Sequence, residues 1–158
     1  MVSFNPHETA LRQRIAHLEA QVTTLQQEEQ RTTIALAHSN VGVFDWQLDI
    51  RQIYLSPILQ AMLGYANEPM PDHIDSWLSH LHAENRYRAE KDVRDALVYG
   101  KKSFEGVYIM NRKDGATRLF LFRAVIMRRE RVDGGDPIRV LGTAVDVTDV
   151  ATISKDLT

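Results

Sequence analysis

From His7 to Val41 the chain contains neither proline nor glycine, the residues that most readily end a helix. One long uninterrupted helix can therefore form here, and its opening reads as a helix start. Asn5 can cap, Pro6 fits the first helical position, and Glu8 stands where a capping-box acid reaches back. Leu11, Ile15, Leu18, Val22 and Leu25 then recur at spacings of 4, 3, 4 and 3. This is a d-a-d-a-d seam with β-branched residues at both a positions and leucine at every d, a choice that favours parallel dimers. Arg14 falls at g and Glu19 at the following e, where an interhelical ion pair forms. A helix folded back on its own domain normally shows a wider apolar face, so the spacing predicts a coiled-coil homodimer through these five residues. The seam lasts about two heptads before Glu29 and Thr32 take core positions, which is short for an isolated helix. Cooperation with the following domain is expected, and Ile34, Leu36 and Ala37 add a second apolar patch.

His38-Ser39-Asn40 reads as a break, after which the periodicity changes from helical to alternating. Val41 to Leu48 reads as a strand with Phe44, Trp46 and Leu48 on one face. Asp49-Ile50-Arg51 is a turn, and Gln52 to Leu55 the hairpin partner. Ser56-Pro57 starts a helix that stops at Gly64. Asp72 can cap a short helix bearing Ile74, Trp77, Leu78 and Leu81. A longer helix from about Ala83 to Tyr99 buries Ala89, Val93, Ala96 and Leu97. Phe104 to Arg112 and Thr117 to Arg128 form a hairpin across Lys113-Asp114-Gly115. Arg131 to Pro137 is a Gly-Gly loop, and Ile138 to Val147 the last strand. Strands come first and last with helices grouped between them, so the fold class is α+β: a five-stranded antiparallel sheet with short helices on one face, behind a long N-terminal helix. The organisation expected is a coiled-coil helix over 6–38, a domain over 39–149 and an outgoing helix from 150–158. Leu119, Leu121, Val125 and Met127 alternate with Phe120, Phe122, Ala124 and Ile126, so both faces of the sheet are apolar and want cover. The N-terminal helix or a second subunit is the expected cover for the face without short helices.

Composition narrows the function. The 158 residues are 44% hydrophobic and 25% charged, with a formal net charge of −2 and no cysteine. Disulfides, thiolate metal sites, a thiol nucleophile and any cysteinyl adduct of a chromophore are excluded. No basic stripe suits nucleic acid, and no apolar run is long enough for a membrane span. The N-terminus lacks the basic and apolar regions of a secretory signal, and a cytoplasmic location is expected. Gly-x-Ser-x-Gly, a phosphate-binding glycine loop and His-Glu-x-x-His are all missing, which argues against an enzyme.

Five blocks in order resemble the PAS family, in the PAS_3-like subclass of bacterial signalling proteins. They are Val41-Gly42-Val43-Phe44-Asp45-Trp46, Met62-Leu63-Gly64-Tyr65, Trp77 with Leu81-His82, Asn111-Arg112-Lys113-Asp114-Gly115, and Gly142-Thr143-Ala144-Val145-Asp146-Val147-Thr148. Where the family opens its long helix with His-Pro-Asp-Asp, this chain has His82-Ala83-Glu84-Asn85. The resemblance implies a signal-sensing and dimerisation module, fused or partnered with an effector such as a histidine kinase or a cyclic-dinucleotide enzyme. It implies that Asp146 and Thr148 link the last strand to an outgoing helix. Asp146 would accept from a basic residue near the Lys113-Asp114-Gly115 hairpin and Thr148 would cap the helix. Val150, Ile153 and Leu157 begin a further helical seam, and the chain is expected to continue into the effector.

The resemblance also implies a small-molecule cleft, whose lining is expected to be Phe44, Trp46, Leu63, Trp77, Tyr108 and Phe122. Its occupant stays open: nothing, a non-covalent flavin beside Trp46, Trp77, Tyr54 and Asn111, or haem on His80 or His82. His80 and His82 are read as surface or capping residues and not as metal ligands. The competing function is a ligand-free structural dimerisation or adaptor domain.

Overall fold

The computed structural model describes residues 5–128 and 138–156. Contacts divide the chain after Ser39 into two units. The first is essentially one helix, α1 (Pro6–His38). Asn5 caps it, its side chain accepting from the His7 amide at 3.1 Å, and Pro6 takes the first turn. Glu8 does not close a capping box. It pairs instead with Arg12 one turn on, because an exposed guanidinium competes for the same carboxylate. No residue of α1 is buried: Leu11 and Leu25 are each 63% exposed and Leu18 43%.

The second unit is built on β1 (Val41–Gln47), β2 (Gln52–Leu55), β3 (Ser103–Asn111), β4 (Thr117–Arg128) and β5 (Ile138–Asp146). They form one antiparallel sheet in the order β2-β1-β5-β4-β3. Between its halves come α2 (Pro57–Met62), α3 (Ile74–Leu78) and α4 (Ala83–Val98), and α5 (Thr148–Asp156) follows β5. The α+β class and the strand assignments expected from alternation are found. The Gly-Gly loop expected over Arg131–Pro137 lies outside the described residues, as does Leu157.

Two caps differ from the sequence reading. His73, and not Asp72, caps α3, its Nδ1 accepting from the Asp75 amide at 3.2 Å. The Asp72 carbonyl is taken by the Ile53 amide at 2.8 Å, which holds the 72–73 segment along β2. Ser56 precedes α2 but makes no side-chain cap. Its hydroxyl accepts from the Val43 amide at 2.9 Å and fixes the helix start against β1.

The core lies on the face carrying Phe44, Phe120, Phe122, Ala124, Ile126, Val140 and Ala144. Register explains how this face becomes concave. Phe44 lies opposite Gly142, which lies opposite Ala124, and Phe122 lies opposite Ala144 and Gly106. Small residues thus stand on one side of Phe44 and on both sides of Phe122. A Cβ on Gly142 would stand 2.8 Å from Phe44 Cζ, closer than real carbon contacts allow.

Candidate functional site: an aromatic cavity and a strand-to-helix junction

Helix α4 is fastened to the edge strand β3 by polar side chains. Asn85 Oδ1 accepts from the Ile109 amide at 2.7 Å and from Arg88 at 3.1 Å. Arg88 also donates to the Val107 carbonyl and lies over the Tyr108 ring, and the Tyr108 hydroxyl donates to Asp92 at 2.7 Å. Burial, then this bond, pushes the Tyr108 phenol well above its ordinary pKa. The segment before α4 completes the edge, with Asn111 N donating to His80 O and His82 N to Ile109 O. The backbone groups of this strand end are thereby satisfied. At the far end of α4 the Arg128 guanidinium donates to the Leu97 carbonyl at 2.8 Å, a cation where the helix dipole favours one.

Beneath α3 and α4 the sheet leaves a cavity of about 370 Å³, within the range of small-ligand sites. Five of the six expected residues line it: Phe44, Trp46, Trp77, Tyr108 and Phe122. Their rings pack edge-on and stacked, with Trp77 centred 5.4 Å from Phe122 and 6.3 Å from Phe44. Leu63 is fully buried but does not line the cavity. It ends α2, and its carbonyl accepts from Lys113 N at 2.8 Å, which directs that corner toward the β3–β4 hairpin. Gly64, with φ +95°, makes the turn there. The charged lining residues are Glu90 and Arg94. Trp46 Nε1 is buried without a hydrogen-bond partner among the described residues.

The lining does not suit haem or flavin. Among the described residues it contains no histidine, methionine or cysteine to bind iron, and the Tyr108 hydroxyl is committed to Asp92. His80 is buried, which corrects the surface reading. Its Nδ1 donates to Asn111 O at 2.7 Å and its Nε2 accepts from the Tyr65 hydroxyl at 2.9 Å, so neither nitrogen is available. His82 caps α4 through Nδ1, accepting from the Glu84 amide at 3.4 Å. A flavin ring needs amide partners along its polar edge, yet among the described residues no Asn or Gln lines the cavity, Asn111 lies outside it, and Tyr54 is 57% exposed.

The second feature is the junction where β5 becomes α5. Asp146 Oδ2 lies 3.1 Å from Arg118 Nε, just past the hairpin, where a basic partner was expected. Its Oδ1 accepts from the Thr148 amide at 3.0 Å and the Thr148 hydroxyl at 2.6 Å. Thr148 is the first residue of α5 and not its cap. Asp146 takes the capping role, because its short side chain reaches an amide two residues on. The Thr148 hydroxyl instead accepts from the Leu119 amide at 2.8 Å, and Val147 N donates to Leu119 O at the same distance. One threonine thereby ties the helix start to β4. On α5, Val150 is exposed.

Sequence reasoning missed Asn85, Arg88, Asp92 and Arg118. Asn85 carried a legible signal: it stands four residues before Ala89, on the apolar stripe of α4, where an amide has to find a buried partner.

Comparison with known proteins agrees with this architecture. The PAS_3 profile, described as PAS fold, matches residues 52–144, more than half of the chain. A sensory box histidine kinase/response regulator from Burkholderia thailandensis superposes with a TM-score of 0.67 at 24% identity, over 80% of this chain and 92% of that one. A domain of a putative light and redox sensing histidine kinase from Haloarcula marismortui gives 0.56 at 17% identity, over 75% and 99%. The "Non-motile and phage-resistance protein" of Caulobacter vibrioides is 24% identical over 121 residues, covering 77% of this chain but 14% of that protein's length. With its sheet order, helices and matched segment, the chain belongs to the PAS-fold family.

Proposed function

We propose that the chain is a non-enzymatic sensory input module of a cytoplasmic signalling protein, dimeric through α1, that passes the state of its cavity to an effector through the Asp146–Thr148 junction. The observation that carries this reading is the double attachment of α5. Asp146 holds the helix start to β5 and to Arg118, and Thr148 holds it to the Leu119 amide of β4. Phe120 and Phe122, the next inward residues of the same strand, are core and cavity residues. A change in packing inside moves β4, and a shift at the start of a rigid helix grows along its length. The similarity to domains of sensory histidine kinases supports a kinase as effector, with a cyclic-dinucleotide enzyme as the other class. The seam Leu11, Ile15, Leu18, Val22 and Leu25, all on an unburied helix, supports dimerisation. The cavity favours this reading over a ligand-free adaptor, since packed cores seldom retain such space.

The test is a fusion of the chain to a histidine-kinase core. Asp146→Ala and Thr148→Ala should change autophosphorylation while circular dichroism and sedimentation stay those of the folded dimer. Unchanged output from both would mean that the junction is only a strand end. Ile15→Glu with Leu18→Glu should convert the dimer to a monomer, and a wild type that sediments as a monomer at tens of micromolar, on the order of weak-dimer affinities, would contradict the seam.

A further inference from the structure

Strand β3 is an edge strand, and its two halves are finished differently. Its odd-numbered residues turn their backbone groups away from β4: the Arg88 guanidinium donates to Val107 O, Ile109 N to Asn85, His82 N to Ile109 O and Asn111 N to His80 O. The even-numbered register faces β4, as the bond from Ile126 N to Lys102 O shows just before the strand. The half from Val107 O to Asn111 N is therefore sealed. In the other half the N–H and C=O groups of Ser103 and Glu105 and the N–H of Val107 point out of the sheet. They have no hydrogen-bond partner among the described residues. All three residues are exposed. An edge of this kind is a template for a further strand.

Helix α4 determines what that strand should carry. Asn85, Arg88, Asp92 and Asp95 follow one another at spacings of 3, 4 and 3, one stripe along the helix beside β3. The first two seal the strand. The last two are acids, and with Ser103 and Glu105 they line one cleft of about 770 Å³. Asp92 and Asp95 each use only Oδ2, for the Tyr108 hydroxyl and for Lys91, so both Oδ1 atoms lack a partner among the described residues. The cations of the cleft are Lys101, in the connection before β3, and Arg123, which Glu105 holds at 2.7 Å. A second copy of this edge fits poorly. Antiparallel pairing of two β3 strands about a two-fold axis keeps both α4 helices on the same side of the joined sheet, where their acids meet. The register centred on Glu105 sets that carboxylate opposite its own copy.

We propose that the Ser103–Val107 edge binds an extended peptide as a sixth strand of the sheet, with a lysine or arginine side chain of that peptide paired with Asp92 and Asp95. Backbone pairing supplies most of the affinity, and the two acids supply the preference for a cation. In antiparallel pairing, peptide residues bonded to Ser103, Glu105 and Val107 put their side chains on the outer face. Those opposite Phe104 and Gly106 put theirs on the inner face, beside α4. Basic residues are therefore expected at every second position.

The test is titration of the full chain with acetyl-Val-Lys-Val-Lys-Val-amide, read in ¹⁵N–¹H spectra. The Ser103, Glu105 and Val107 amides should shift together and saturate, while those of Ile109 and Asn111, already bonded, move less. Glutamate in place of both lysines should weaken binding. Asp95→Asn should weaken the lysine peptide by about threefold, as the loss of one exposed ion pair implies. N-methylation of the three valines removes the donors that face the edge, and it should abolish saturation without touching the protein. Glu105→Pro should do the same. That N–H points away from β4, so proline removes an edge donor and no ladder bond, and circular dichroism checks the fold. No saturable shift at the three amides would overturn the proposal, as would equal binding of the lysine and glutamate peptides or of the N-methylated one. A chain carrying Ile15→Glu and Leu18→Glu that still sediments as a dimer, and becomes monomeric with Glu105→Pro, would place a second copy on the edge and overturn it too.

Discussion

The two faces of the sheet are both apolar, yet they are built differently. On the inner face, large rings sit among glycine and alanine: Phe44 beside Gly142, Phe122 beside Ala144 and Gly106. On the outer face a single row, Val41, Val145, Leu121 and Val107, crosses four strands with side chains of similar bulk. Ion pairs interrupt that outer surface, Arg123 with Glu105 at 2.7 Å and Arg139 with Asp45. Alternating large and minimal side chains leave a hollow that a guest can fill. Uniform aliphatic side chains with interspersed charges make a flat, partly wetted surface. The difference teaches that apolar alternation along one strand does not tell a pocket from a plain face; the neighbours across the register decide.

The sharpest way to break this contrast is to truncate one residue on each face of β4. Phe122→Ala should cost about 3–5 kcal/mol in chemical denaturation, the range for a buried aromatic. Val125→Ala, at a position 54% exposed, should stay within about 1 kcal/mol. Equal costs would mean that the outer face is as tightly packed as the inner one.

Next in size is the polar fastening of α4. Asn85→Leu should cost about 1–3 kcal/mol by leaving the Ile109 amide without its partner. A smaller loss would show that water replaces the carbonyl and that the edge strand is not sealed by the helix. At the junction, Thr148→Ala should cost about 1–2 kcal/mol, removing the acceptor for Leu119 N and the donor to Asp146.

The smallest effect concerns pH. The Tyr108 phenol is held protonated by burial and by Asp92, so its folded pKa lies above the unfolded one. Such a group contributes stability fully below the unfolded value and loses it as pH rises through the folded one. Denaturation midpoints of wild type and Tyr108→Phe should therefore run parallel up to about pH 10. Above that the wild type should fall relative to the variant. Parallel curves throughout would mean that the Tyr108–Asp92 bond does not hold the proton.

Much of the molecule was legible before its structure. The hairpin strands came from period-two alternation, α1 from its lack of helix breakers, and five cavity residues from strand parity combined with family likeness. The illegible parts are those that depend on pairing between distant segments. Leu63 is as apolar as its neighbours, and only the folded packing shows that it is buried in the core without lining the cavity. Arg118 is one arginine among many until β4 is set beside Asp146. His80 and His82 look alike in sequence, but one is buried between Tyr65 and the Asn111 carbonyl while the other caps a helix.

The central claim is that packing in the cavity is felt at the start of α5. Native-state hydrogen exchange of the Leu119 amide measures this most directly, because that amide is the donor to Thr148 and sits in the strand that carries Phe120 and Phe122. Trp77→Phe, which thins the cavity lining without removing its aromatic character, should change protection at Leu119, while Val125→Ala on the outer face should leave it unchanged. Protection that responds equally to both variants, or to neither, would contradict the claim.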